Sequence, residues 1–103
     1  MPNTTGQTEV VRDWMVEQFP DLEVNAPRVT NSLDAVMFLA GHDGRGSIYW
    51  LAISDDFFTS HRTANEIREQ LTSRRVADDL RAHEYEWRLL PRVGPPQPWL
   101  PGA

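Results

Sequence analysis

Ala35-Val36-Met37-Phe38-Leu39-Ala40 and Ile48-Tyr49-Trp50-Leu51-Ala52-Ile53 are two apolar runs divided by Gly41-His42-Asp43-Gly44-Arg45-Gly46-Ser47. The runs are rich in β-branched and aromatic residues, and Asp43-Gly44 is a favoured turn pair. The stretch therefore predicts a β-hairpin with a longish loop. Leu33, Val36, Met37 and Ala40 also fit a helical spacing, so residues 35–40 read as strand or helix. On the second arm Ile48, Trp50 and Ala52 project one way and Tyr49, Leu51 and Ile53 the other. An antiparallel sheet with one wet face alternates apolar with polar; this one is apolar on both sides, so both need cover. Helices on the two sides would supply it. If they share one side, the second face is left for a twin subunit, another partner or a ligand.

Upstream, Val10, Val11, Trp14, Met15 and Phe19 recur at helical spacing with Glu9, Arg12, Asp13 and Glu17 between them. Thr8 is the expected N-cap, and Pro20 stops the helix at or before Phe19. Residues 1–7 are expected to be a disordered N-terminus. Leu22–Val24 and Arg28–Thr30 are short extended candidates around Pro27, suited to an edge. Downstream, Ser54, Asp55 and Asp56 open a helical stretch, and Thr63-Ala64-Asn65-Glu66 spells a capping box ahead of Ile67 and Leu71. The apolar stripe breaks after Leu71, which predicts two helices with a turn near Thr72-Ser73. In Glu84–Leu89 the period becomes two: Tyr85, Trp87 and Leu89 read as the buried side of a strand, Glu84, Glu86 and Arg88 as its wet side. The organisation expected is a single α+β domain over residues 8–90 with a Pro-rich tail over 91–103. It has an N-terminal helix, a mainly antiparallel sheet of three or four strands around the hairpin, two helices and a final strand.

Composition narrows the function. The chain has 103 residues, enough for one core, and no cysteine, which excludes disulfides, thiol nucleophiles and thiolate metal sites. Its net charge of −5 makes it a poor general ligand for phosphate backbones or anionic membranes. Its basic residues are all arginine, which excludes lysine Schiff-base chemistry and points to a GC-rich coding sequence of bacterial or phage type. Charged residues Glu9, Arg12, Asp13 and Glu17 leave no signal-peptide core, and neither apolar run is long enough to span a bilayer. The expected location is the cytoplasm. Asn3-Thr4-Thr5 is then a chance glycosylation sequon.

The candidate sites compete with structural readings. The loop Gly41–Ser47 holds His42, Asp43 and Arg45 but leads into a strand, whereas phosphate loops lead into a helix. His61 and His83 are single, without ligand spacing, so no metal and no cofactor is implied. Ser54, Asp55, Asp56, Ser60 and His61 can be named as a triad, but helix capping explains them as well. Arg74 and Arg75 open the second helix and Arg81 follows, a geometry that suits groove reading. Opposing it, Asp78 and Asp79 stand at i, i+4 to Arg74 and Arg75, and Glu66 at i, i+4 to Arg62; the Asp79–His83 spacing, a metal-ligand candidate, reads more simply as an acid–imidazole contact. Arg92-Val93-Gly94-Pro95-Pro96-Gln97-Pro98 has the Arg-x-x-Pro-x-x-Pro spacing of a ligand for an aromatic groove. Trp99 beside it could instead fold back onto the core.

The reading that follows is a non-enzymatic, acidic protein–protein interaction module of inhibitor, chaperone, immunity or adaptor type, with a homodimer as one option. Its contact residues are Tyr49, Trp50, Leu51, Arg92, Pro95, Pro98 and Trp99. Two alternatives stand beside it: a nucleic-acid-associated regulator using Arg74, Arg75 and Arg81, and a small-molecule binder or enzyme with a pocket near Trp50, His42 and His61.

Overall fold

A computed structural model describes residues 4–25, 28–30, 35–42 and 45–99. In chain order the elements are α1 (Thr4–Gln18), β1 (Arg28–Thr30), β2 (Ala35–His42), β3 (Arg45–Ser54), α2 (Asp55–Ser60), α3 (Ala64–Ser73), α4 (Val76–Ala82), β4 (Trp87–Leu90) and β5 (Gln97–Pro98). The α+β class is the one expected, and the stretch 35–40 is strand. One sheet runs in the order β1-β2-β3-β4-β5.

The hairpin β2–β3 forms its spine, antiparallel, with Val36 opposite Ile53, Phe38 opposite Leu51 and Ala40 opposite Tyr49. Its strands run past the expected arms to His42 and Arg45, with a register shift between Ala40 and His42; Asp43 and Gly44 lie outside the described residues. β1 adds antiparallel to β2, and Val24 makes a single further bridge to Ala40. The sheet departs from the mainly antiparallel expectation at β4, which runs parallel to β3. Three helices separate these strands and return the chain to the same end of the sheet, as a parallel pair requires. β5 then pairs antiparallel with β4, so the proline-rich tail joins the sheet at its edge, where a missing N–H costs no ladder bond.

Helix α1 begins at Thr4, not at Thr8, and Thr8 is buried inside it. The reason is tertiary. Gln7 is buried, and its side-chain amide donates to the carbonyls of Phe58 at 2.7 Å and His61 at 3.0 Å. Those carbonyls lie at the C-terminal end of α2, where a helix leaves acceptors unpaired. The capping box on α3 is formed: Thr63 Oγ1 accepts from the Glu66 N–H at 3.1 Å, and the Thr63 N–H donates to Glu66 Oε1 at 3.3 Å. The break between α3 and α4 falls at Arg74-Arg75, with Arg75 left-handed at φ 55°. This turn swings Val76, Ala77 and Leu80 onto the side already occupied by Ile67 and Leu71. Three helices, not two, therefore follow the hairpin.

The core lies between the helices and one face of the sheet. From the strands it takes Val36, Phe38, Ala40, Tyr49, Leu51, Ile53 and Leu90; from the helices Val11, Trp14, Met15, Phe57, Ile67 and Leu80, among others. Side chains alternate along a strand, so Met37, Leu39, Ile48, Trp50, Trp87 and Leu89 form the opposite face. These six are only half-buried. No helix among the described residues is long and apolar enough to cross a membrane.

Candidate functional site

The second face of the sheet is where, among the described residues, apolar surface has no helix over it. At its centre Ala52 is fully buried, with Met37 its register partner on one side and Leu89 on the other. One row away Leu39, Trp50 and Trp87 lie side by side across β2, β3 and β4. The Trp50 and Trp87 rings stack at 5.4 Å, and Trp99 meets Trp87 edge-on at 5.4 Å with 77° between planes. The Trp99 N–H donates to the Trp87 carbonyl, fixing the end of the tail beside β4. Trp99 thus folds back, onto the sheet.

An open cleft of about 490 Å³ adjoins these rings. Trp50, Trp87, Trp99 and Pro98 supply its apolar lining; Tyr85, Glu86, His83 and Arg88 supply the rest. Tyr85 is not part of the strand, which starts at Trp87. It sits in the preceding turn with a left-handed φ of 65°, its N–H donating to the Ile48 carbonyl, and it is 54% exposed.

Beneath β4 lies a charge the sequence pattern placed on the wrong side. Arg88 is buried on the helix face, opposite Leu51 in register. Its Nε and Nη2 donate to Oδ2 and Oδ1 of Asp79 on α4, both at 2.8 Å. A bidentate pair of this kind is what lets a guanidinium enter a core. The Asp79 bonds hold Arg88 above its usual range against the opposing effect of burial, and Glu86 adds to the same field. His83 Nδ1 lies 2.9 Å from the Asp79 carbonyl and 3.6 Å from its Oδ1, so Asp79 serves Arg88 first.

The other sequence candidates are dispersed. Tyr49 and Leu51 lie on the covered face: Tyr49 stacks on Phe19 at 4.5 Å and donates to Glu84 Oε1 at 3.2 Å, and Leu51 is fully buried. Of that contact trio only Trp50 reaches the open side. Arg74 is an anchor for the tail. Its Nη1 and Nη2 donate to the carbonyls of Pro91 and Arg92, both at 2.7 Å, its Nε to Gln70, and it lies over the Phe57 ring. Burial pushes this guanidinium below its usual range. Arg81 donates to the Gln18 carbonyl at 2.9 Å and covers Phe19, while Arg75 is exposed in the α3–α4 turn. Arg92 and Pro95 are exposed, but the Arg92 carbonyl and Pro98 are both held against the chain's own fold.

His61 belongs to the helix layer, its Nδ1 3.0 Å from the Phe57 carbonyl and its ring 4.6 Å from the Phe57 ring. Ser54 donates to Asp56, within the start of α2. The cleft at Trp50 therefore contains His83 in place of His61. The His42 side chain lies outside the described residues. Trp87, Tyr85, Glu86 and the Asp79–Arg88 pair were not candidates; the period-two run 84–89 was their only signal, and it was read as ordinary strand.

Compared with protein-family models, curated proteins and solved structures, the chain matches none.

Proposed function

We propose that the protein is a non-enzymatic interaction module that meets a protein partner across the uncovered face of its sheet. One observation supports this reading. Every helix packs on the side of Phe38, Leu51 and Leu90, leaving Met37, Leu39, Ile48, Trp50, Trp87 and Leu89 together on the other. Apolar side chains clustered this way are a signature of binding surfaces, and tryptophan is enriched where interface energy concentrates. The occupant best suited is a partner of net positive charge. The chain carries −5, so a second copy would bring like charge to the contact, while a basic partner is steered in.

The test uses two charge insertions on this face, Met37→Glu and Leu39→Glu, the second beside Trp50. Immobilised wild-type and doubly substituted proteins are exposed to nuclease-treated lysate, with circular dichroism confirming that both fold. A basic protein retained by wild type and lost by the double variant supports the reading. Equal retention by both removes the face from consideration, and a wild-type mass twice that of the monomer in sedimentation replaces the foreign partner with a second copy.

A further inference from the structure

We propose that the cleft beside Trp50, Trp87 and Trp99 is a recognition site for a methylated ammonium cation. Three features of the cleft lead there. First, three indoles line it in two orientations. Trp87 stacks on Trp50 and meets Trp99 edge-on at 77°, so a group seated in the cleft lies beside aromatic surface. Aromatic faces carry negative quadrupole charge, and a cation that has shed its water is drawn to them. A quaternary ammonium sheds water most easily, since its methyl groups make no hydrogen bonds.

Second, the local charge is negative. Arg88 lines the cleft, but its guanidinium is matched atom for atom by Asp79. Glu86 lines the same cleft and leaves one carboxylate beyond that pair. A neutral apolar ligand would gain nothing from these charges, and an anion would be repelled.

Third, the turn that carries this chemistry is held in an unfavourable backbone state. A bulky residue at φ 65° is a genuine outlier, costing on the order of 1 kcal/mol relative to glycine. Backbone cost of this kind collects where a side chain must be presented, and here the side chain is an aromatic ring left largely in solvent at the mouth of the cleft.

The cation must come from another molecule, because the chain contains no lysine to be methylated. Two sources share the chemistry: a free quaternary amine, and a methylated lysine on a protein surface. The cleft shares Trp50 and Trp87 with the sheet face, but Met37 does not line it, so the two readings can fail separately.

Choline is titrated into the full chain while the indole N–H resonances are followed by NMR. Its uncharged carbon analogue, with tert-butyl in place of trimethylammonium, is the first control. A short peptide carrying one trimethyllysine is compared with the same peptide unmodified. Trp14, on the buried side of α1 and outside the cleft, is the internal reference. The expected result is a shift of Trp87 and Trp99 with Trp14 still, and binding of choline about fivefold tighter than its neutral analogue. Glu86→Gln should weaken choline by roughly threefold and leave the analogue unchanged. Trp99→Leu should weaken choline by about tenfold. Preference for the trimethylated peptide over choline assigns the site to a protein ligand, and the reverse assigns it to a free amine. Equal binding of choline and its analogue overturns the proposal, as does the absence of any shift up to about 100 mM. Met37→Gln, a neutral change at a residue that does not line the cleft, should bind choline as wild type does, whatever becomes of its protein partner.

Discussion

On the helix side of the sheet, Phe38, Leu51, Ile53 and Leu90 are sealed under α1–α4, while on the other side Met37, Leu39, Trp50 and Leu89 keep part of their surface in water. The two faces are built from the same strands and nearly the same residue types. What separates them is how burial is completed. On the covered face each apolar side chain is fully enclosed and contributes roughly 1.5–3 kcal/mol. Even a charge is accommodated there, because Asp79 reaches it from α4. On the open face, among the described residues, only Ala52 and Ala35 are fully buried. The covered face supports the fold, and the open face retains hydrophobic free energy that a partner can still release.

This contrast can be broken most severely at Leu51. Leu51→Ala should cost about 2–5 kcal/mol in urea unfolding, whereas Leu39→Ala, a half-buried leucine on the opposite face, should cost about 1 kcal/mol. Equal losses would mean that both faces are packed alike. Next comes the charge inside the covered face. Arg88→Met should destabilise by about 3 kcal/mol, since it strands the largely buried Asp79 carboxylate. Adding Asp79→Leu should restore most of that loss in the same unfolding assay. A double variant as weak as the single would show the pair to be worth more than apolar packing.

A smaller effect belongs to the helix layer. Thr63→Ala removes the reciprocal cap on α3 and should cost about 1 kcal/mol by thermal melting. Smallest is the surface pair joining α1 to α3. Arg68 donates to Glu17 at 2.6 Å and holds its carboxyl below the ordinary 4.5. A carboxyl lowered on folding stabilises above its unfolded pKa, and that contribution disappears as pH falls through the lower folded value. Wild type should therefore lose melting temperature between about pH 5 and pH 3 slightly faster than Glu17→Gln, with the difference shrinking in high salt. Matching slopes would leave the pair without a measurable role.

Much of the fold was legible because its signals are local. The continuous apolar runs at 35–40 and 48–53, the first of which also fits a helix, the capping box at Thr63, the stop at Pro20 and the break after Leu71 each depend on a few neighbouring residues. The site was legible only in fragments. Trp50 and Trp99 were singled out, but Trp87, which joins them, was read as the inward side of its strand. The period was right and the face inverted: Arg88 and Leu90 point to the core, while Trp87 and Leu89 point away. A rule that puts charge outside has no knowledge of Asp79, which lies nine residues earlier on another element. Arg74 shows the same limit, since a cation beside a helix turn gives no hint that its partners are the carbonyls of Pro91 and Arg92.

By itself the sequence determined the α+β class and most of the helical and extended segments, that the hairpin is apolar on both sides, and that the chain is acidic and without cysteine. Tertiary structure decided that all the helices cover one side, that β4 runs parallel to β3, that Arg88 is an inward charge, and that three tryptophans distant in sequence converge on one cleft. Periodicity records whether a side chain is apolar, a property of the residue and its near neighbours. Which of two apolar faces receives the helices depends on loop lengths, on where partners such as Asp79 arrive, and on which arrangement buries more surface. Those terms exist only once distant segments have met.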